Sequence, residues 1–141
     1  MIHYNISYNN PHRHFVDFEL NTSTNGKDSM QFQLAAWRPG RYELSNFAQN
    51  IQKWGAFDGE ENPLPFKKIT KDLWEVNSKG VKEVFIFYTF YANQLDAGAC
   101  YLDENQLYLN PVHCIFYIVG KMEEKYSINL EIPKDYEIAT S

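Results

Sequence analysis

The chain has 141 residues, a length that suits a single domain with one hydrophobic core. Its 18 acidic and 13 basic side chains leave a formal net charge of −5, which argues against nucleic-acid binding and against attraction to an anionic membrane surface. Aromatic residues make up 16% of the sequence, mostly Tyr and Phe, and these favour pleated, half-buried surfaces.

Ile2, Tyr4, Ile6 and Tyr8 alternate with His3, Asn5 and Ser7, the period of a half-buried strand. That opening carries no basic region followed by an apolar run, so no secretory leader is read and the cytoplasm is the expected location. Nor does any apolar run approach the roughly 20 residues that cross a bilayer. Asn9-Asn10-Pro11 breaks the strand. Val16, Phe18 and Leu20 then share one face, with Asp17, Glu19 and Asn21 on the other. The dipeptide Asn25-Gly26 predicts a hairpin to a partner strand carrying Met30, Phe32 and Leu34. Next comes Trp37-Arg38-Pro39-Gly40-Arg41-Tyr42. Pro39 presets φ and Gly40 supplies the positive φ of a type II turn, so Trp37 and Tyr42 bracket a fixed corner. The spacing of Leu44, Phe47, Ala48 and Ile51 fits either a short helix over about 44–49 or an irregular crossing.

Strands are expected over Ile51 to Phe57, Phe66 to Ile69 and Leu73 to Val76, punctuated by Asp58-Gly59 and by Asn77 to Gly80. Lys67-Lys68, the longest basic cluster, reads as a solvated edge. Val84 to Ala92 is the strongest strand and is apolar on both faces, which predicts a central strand covered on both sides. A loop over Asn93 to Ala99 precedes strands over Gln106 to Leu109, His113 to Val119 and Tyr126 to Ile132. About ten short strands with frequent turn signals predict an all-β fold, an antiparallel β-sandwich occupying 1–141 as one domain. The stop at Ala139-Thr140-Ser141, straight after continuous patterning, reads as a cut edge of a longer protein.

Catalytic patterns are absent from the sequence. There is no HExxH zinc pair, no G-x-S-x-G elbow and no glycine-rich phosphate cradle. His12-x-His14 reads as polar residues of a turn, since zinc needs a third or fourth ligand. His113 beside Cys114 reads as packing. Cys100 lies near Asp96 and Asp103, whose charges disfavour a thiolate, so an inert buried thiol is expected. Cys100 and Cys114 would pair in an oxidising compartment and stay free in the cytoplasm. The acidic residues Glu60, Glu61 and Glu104 read as solvated. The segment from Tyr91 to Asp103, leading to Asn110, mixes small residues, rings and amides between core strands. Such loops carry binding function, but Asn93, Asp96 and Asn110 suit turn-capping equally well.

Five marks occur in order: Asn10-Pro11-His12-x-His14, Trp37-x-Pro39-Gly40-x-Tyr42, Phe47-Ala48-x-Asn50, Tyr91-Ala92-Asn93-x-Leu95, and Tyr101-Leu102-Asp103 with Asn110. Together they resemble the N-terminal domain of the glycyl aminopeptidase-like zinc metallopeptidases, over essentially the whole chain. The resemblance implies a β-sandwich preceding a thermolysin-like catalytic domain. It places the HExxH motif and the zinc downstream, so this chain holds no cofactor and no catalytic residue of its own. The implied partners are the protein's own catalytic domain and a peptide losing N-terminal glycine or alanine. Self-association through the exposed interface is a further expectation. Tyr101, Asn110, Asn93 and Asp96 become the candidate interface or substrate-proximal residues, and Trp37, Pro39, Gly40 and Tyr42 the structural motif. Ser45, Asn46 and Gly98 depart from the family, which often has arginine, an acidic residue and arginine there.

Two other readings compete with an accessory peptidase domain. One is a free-standing ligand- or carbohydrate-binding module with Trp54 and Trp74 as a stacking platform, set against tryptophans that plug the core. The other is an assembly domain. It shares with the peptidase reading an exposed apolar patch where a partner docks.

Overall fold

A computed structural model describes residues 1–35, 47–93 and 100–139. The Trp37 to Tyr42 turn, Asp96 and the first part of the expected 44–49 helix lie outside the described residues. The strands are β1 (Ile2–Ser7), β2 (Phe15–Ser23), β3 (Ser29–Leu34), β4 (Ile51–Phe57), β5 (Phe66–Thr70), β6 (Leu73–Asn77), β7 (Glu83–Tyr91), β8 (Tyr101–Leu102), β9 (Leu107–Tyr108), β10 (Phe116–Ile118) and β11 (Tyr126–Leu130). One sheet runs β11-β1-β2-β7-β4, the other β10-β3-β6-β5, and β8-β9 form a small ribbon. The fold is an all-β sandwich, antiparallel in every ladder but β1–β11, which is parallel. Among the described residues helical structure is confined to short turns: 3₁₀ turns at Pro11–Arg13 and Phe47–Asn50, and α1 (Pro111–Cys114).

Period-two alternation drives the packing. Ile2, Tyr4 and Ile6 of β1, Val16, Phe18 and Leu20 of β2, and Val84, Ile86, Tyr88 and Phe90 of β7 all point inward and are buried. They meet Met30, Phe32 and Leu34 of β3, Trp74 and Val76 of β6, and Phe116 and Ile118 of β10 in one core cluster. Burying one such aliphatic or Phe side chain contributes roughly 1.5–3 kcal/mol. A chain of rings crosses between the sheets. Phe18 stacks on Tyr88 at 4.9 Å, Tyr88 meets the Phe116 ring edge-on at 4.9 Å, and Phe116 meets Trp74 at 5.2 Å.

The Asn25-Gly26 hairpin is overturned. β2 pairs with β1 and β7, whereas β3 pairs with β6 and β10, so the turn carries the chain from one sheet to the other. Asn25 and Gly26 do adopt positive φ, 52° and 77°, as their sequence demands. What diverts the strands is tertiary pairing, because β2 finds a nine-residue partner in β7. The Asn77 to Gly80 turn makes the reverse crossing, and the two corners brace each other. Thr24, buried, donates its hydroxyl to the Val81 carbonyl at 2.5 Å, and Ser78, also buried, donates to the Lys27 carbonyl at 2.7 Å.

Two further expectations change. β7 is interior to its sheet, but among the described residues its outer face is only partly covered: Phe87 and Tyr91 are 36% and 38% exposed, whereas Thr89 is buried. The predicted strand over His113 to Val119 begins as α1. Asn110 precedes the helix and Pro111 opens it, a start that suits proline's fixed φ, and only Phe116–Ile118 pair as a strand. β5 is exposed along its whole length, as its lysines require, and Lys68 covers the Trp74 ring at 4.9 Å.

Candidate functional site

Three of the ordered sequence marks converge at one end of the sandwich. The Asn10–His14 stretch forms a capped 3₁₀ turn: the Asn10 side chain accepts from the His12 N–H at 3.1 Å, and His14 ends the turn with φ of 63°. That left-handed residue aims His14 back into the fold. Its carbonyl accepts from Ala92 N–H at 2.7 Å, and its ring Nδ1 lies 2.5 Å from the Leu102 carbonyl oxygen. A carbonyl only accepts, so Nδ1 carries the proton. Leu102 N–H in turn donates to the Ala92 carbonyl at 2.9 Å. His14 therefore ties the end of β7 to β8. His12 faces outward and meets Glu104 at 2.9 Å, with both side chains well exposed.

Asn93 and Tyr101 come together, bridging as antiparallel partners just beyond β7. The Asn93 side-chain amide donates to the Tyr91 phenol at 2.9 Å. Tyr101 pairs with Tyr108 across the ribbon and lies 5.9 Å, ring to ring, from His14. Its phenol hydrogen-bonds Asp103, and that bond with the nearby carboxylate holds the phenol above its ordinary range. Asp103 is held below the usual carboxylate range, first by the Asn105 N–H at 2.7 Å and then by the Tyr101 phenol and the Gln106 N–H. The result is a half-exposed patch of phenols and amides whose polar atoms are fixed by neighbours. Rings with one polar end suit a surface that another molecule covers.

Asn110 lies on the inner side of this patch, against Cys100 and Cys114. Both thiols are buried and free. Cys100 is buried, as the sequence leads one to expect. Its thiol sits below its ordinary range because the Cys114 thiol and the Asn110 backbone hydrogen-bond it, whereas Asp103 spends its oxygens on its own turn. Cys114 is pushed well up by the same contact and by burial.

Sequence reasoning passed over His14 and Tyr91 as site residues. Pro11 opening a turn three residues earlier was the available signal for His14. Trp54 and Trp74 stack at 5.4 Å; Trp74 is buried against Phe116 and plugs the core, and half-buried Trp54 packs over it. Among the described residues no group of three or more His, Cys, Asp or Glu is placed to hold a metal ion.

The two-sheet sandwich, with its loops clustered at one end, has counterparts among known proteins. The chain belongs to the family described as the Peptidase M61 N-terminal domain, whose model matches residues 3–141. It is also similar to the crystal structure of an aminopeptidase N family protein from Idiomarina loihiensis, with 26% identity and a TM-score of 0.87. That match covers 95% of this chain but 22% of the other, so the chain spans under a quarter of its structural relative. No curated protein matches the sequence.

Proposed function

We propose that this chain is the non-catalytic N-terminal domain of a zinc metalloaminopeptidase, packed on the catalytic domain so that it walls one side of the substrate cleft. Membership of the peptidase N-terminal family over nearly the whole chain carries the reading. The similar crystal structure, of which this fold is 22%, supports it. On this reading the chain supplies no ligand to the catalytic metal and takes no chemical step itself. Zinc belongs to the catalytic domain.

The patch of Tyr91, Asn93, Tyr101 and Tyr108 is the surface that meets the catalytic domain and the incoming peptide. Asn110 supports it from behind. The parent enzyme removes N-terminal glycine or alanine. In the isolated chain the same patch makes a homodimer contact. Full-length protein with zinc should hydrolyse glycyl- and alanyl-p-nitroanilide, and the 141-residue chain alone should not. Tyr101→Ala and Asn93→Ala should raise KM about tenfold with little change in kcat, the loss of one neutral hydrogen bond each. A full-length protein that binds zinc but cleaves neither substrate would overturn the specificity. Variants with unchanged KM would remove the cleft role.

A further inference from the structure

Cys100 and Cys114 are 2% and 0% exposed, and they converge on the backbone of Asn110. The Asn110 N–H donates to Cys100 Sγ at 3.5 Å, and the Asn110 carbonyl oxygen lies 3.8 Å from that sulfur and 3.5 Å from Cys114 Sγ. Two sulfurs held against one carbonyl oxygen are neighbours, and side-chain rotation is what would bring them to the roughly 2.05 Å of a disulfide. In the surrounding core Tyr88 gives its hydroxyl to the Cys114 carbonyl, and Tyr4 engages Phe116.

We propose that Cys100 and Cys114 form a redox pair that a hydroperoxide closes to a disulfide inside the folded chain. The Asn110 N–H, which donates to Cys100 Sγ, stabilises negative charge there and makes Cys100 the attacking sulfur. The Cys100 thiolate attacks one peroxide oxygen and the O–O bond breaks. The products are a sulfenic acid on Cys100 and a hydroxide or alkoxide, which takes a proton and leaves as water or alcohol. The Cys114 sulfur then attacks the Cys100 sulfur and the S–O bond breaks. The departing hydroxyl takes the Cys114 proton and leaves as water. The sulfur pair gives up two electrons and the peroxide accepts them. The bond ties the residue before β8 to the last residue of α1, and so closes the segment that carries Tyr101, Tyr108 and Asn110.

The test uses the reduced 141-residue chain exposed to hydrogen peroxide, quenched, and labelled with a maleimide in denaturant. The expected result is joint loss of both thiols in a monomer whose mass is lower by about 2 Da. A Cys100–Cys114 cross-linked peptide should appear, and Tm should rise by several degrees and return on adding dithiothreitol. Cys114→Ala should stop at a sulfenic acid on Cys100 that dimedone traps. If that variant fails to fold, the wild-type mass decides alone. Thiols that stay labelled after long exposure, stepwise oxygen addition without a cross-link, or disulfide-linked dimers would each overturn the proposal.

Discussion

The backbone N–H of Phe116 donates to the Tyr4 phenol oxygen at 2.8 Å, joining positions 112 residues apart across the two sheets. The same hydroxyl lies 3.3 Å from the Phe116 carbonyl oxygen, and Tyr88 makes the parallel contact to Cys114. β10 is short and starts directly after a helical turn, so its first residues lack full ladder partners. Two buried phenols from the opposite sheet satisfy them instead. Tyr4→Phe leaves the Phe116 N–H buried and unpaired, and should cost about 1–3 kcal/mol in urea unfolding. A loss under about 0.5 kcal/mol would show that another group takes the bond.

Those phenols also set the response to alkali. Burial raises Tyr4 and Tyr88 above the ordinary tyrosine range, and Tyr8 is pushed up to about 12 by burial and the nearby Tyr136. A raised phenol pKa means the folded state holds its proton more tightly than the unfolded chain. The contribution is therefore complete below the unfolded value near 10 and is lost as pH rises through the folded value. Urea midpoints should stay flat between pH 8 and 9.5 and fall from about pH 10 upward. A midpoint unchanged at pH 11 would contradict the assignment.

The bracing of the two sheet-crossing corners is testable at Thr24. Thr24→Val keeps the shape but removes the bond to the Val81 carbonyl, which sits in a part-buried corner. The expected loss is about 1–3 kcal/mol, measured by chemical denaturation. Thr24→Ser, which keeps the hydroxyl, should recover most of it.

Gly26 separates conformational strain from packing. A Cβ there meets nothing within 4 Å, yet φ is +77°. Gly26→Ala should therefore destabilise by about 1–2 kcal/mol through the backbone alone. Gly26→Asn should cost less, since Asn tolerates the left-handed region. Equal losses for the two variants would point to a contact in place of strain.

What was legible in the sequence was local. Period-two alternation marked β1, β2 and β3 nearly to the residue, because each buries one face and the pattern records which. The ordered marks also carried the family. The partners of each strand were not legible. Asn25-Gly26 takes the same two positive φ values whether it closes a hairpin or crosses between sheets, and only pairing with β7 and β6 decides. The outer aromatics of β7 carry the pattern of a covered face, but among the described residues that face is only partly covered. Asn93 and Tyr101 were read from one loop, yet their bridging depends on His14, nearly 80 residues earlier, accepting from Ala92 and donating to Leu102. Residue types and their period determined the sandwich and its core. Long-range hydrogen bonds, whose ends are far apart in sequence, decided how the sheets are joined, where the phenols point, and that two cysteines meet at Asn110.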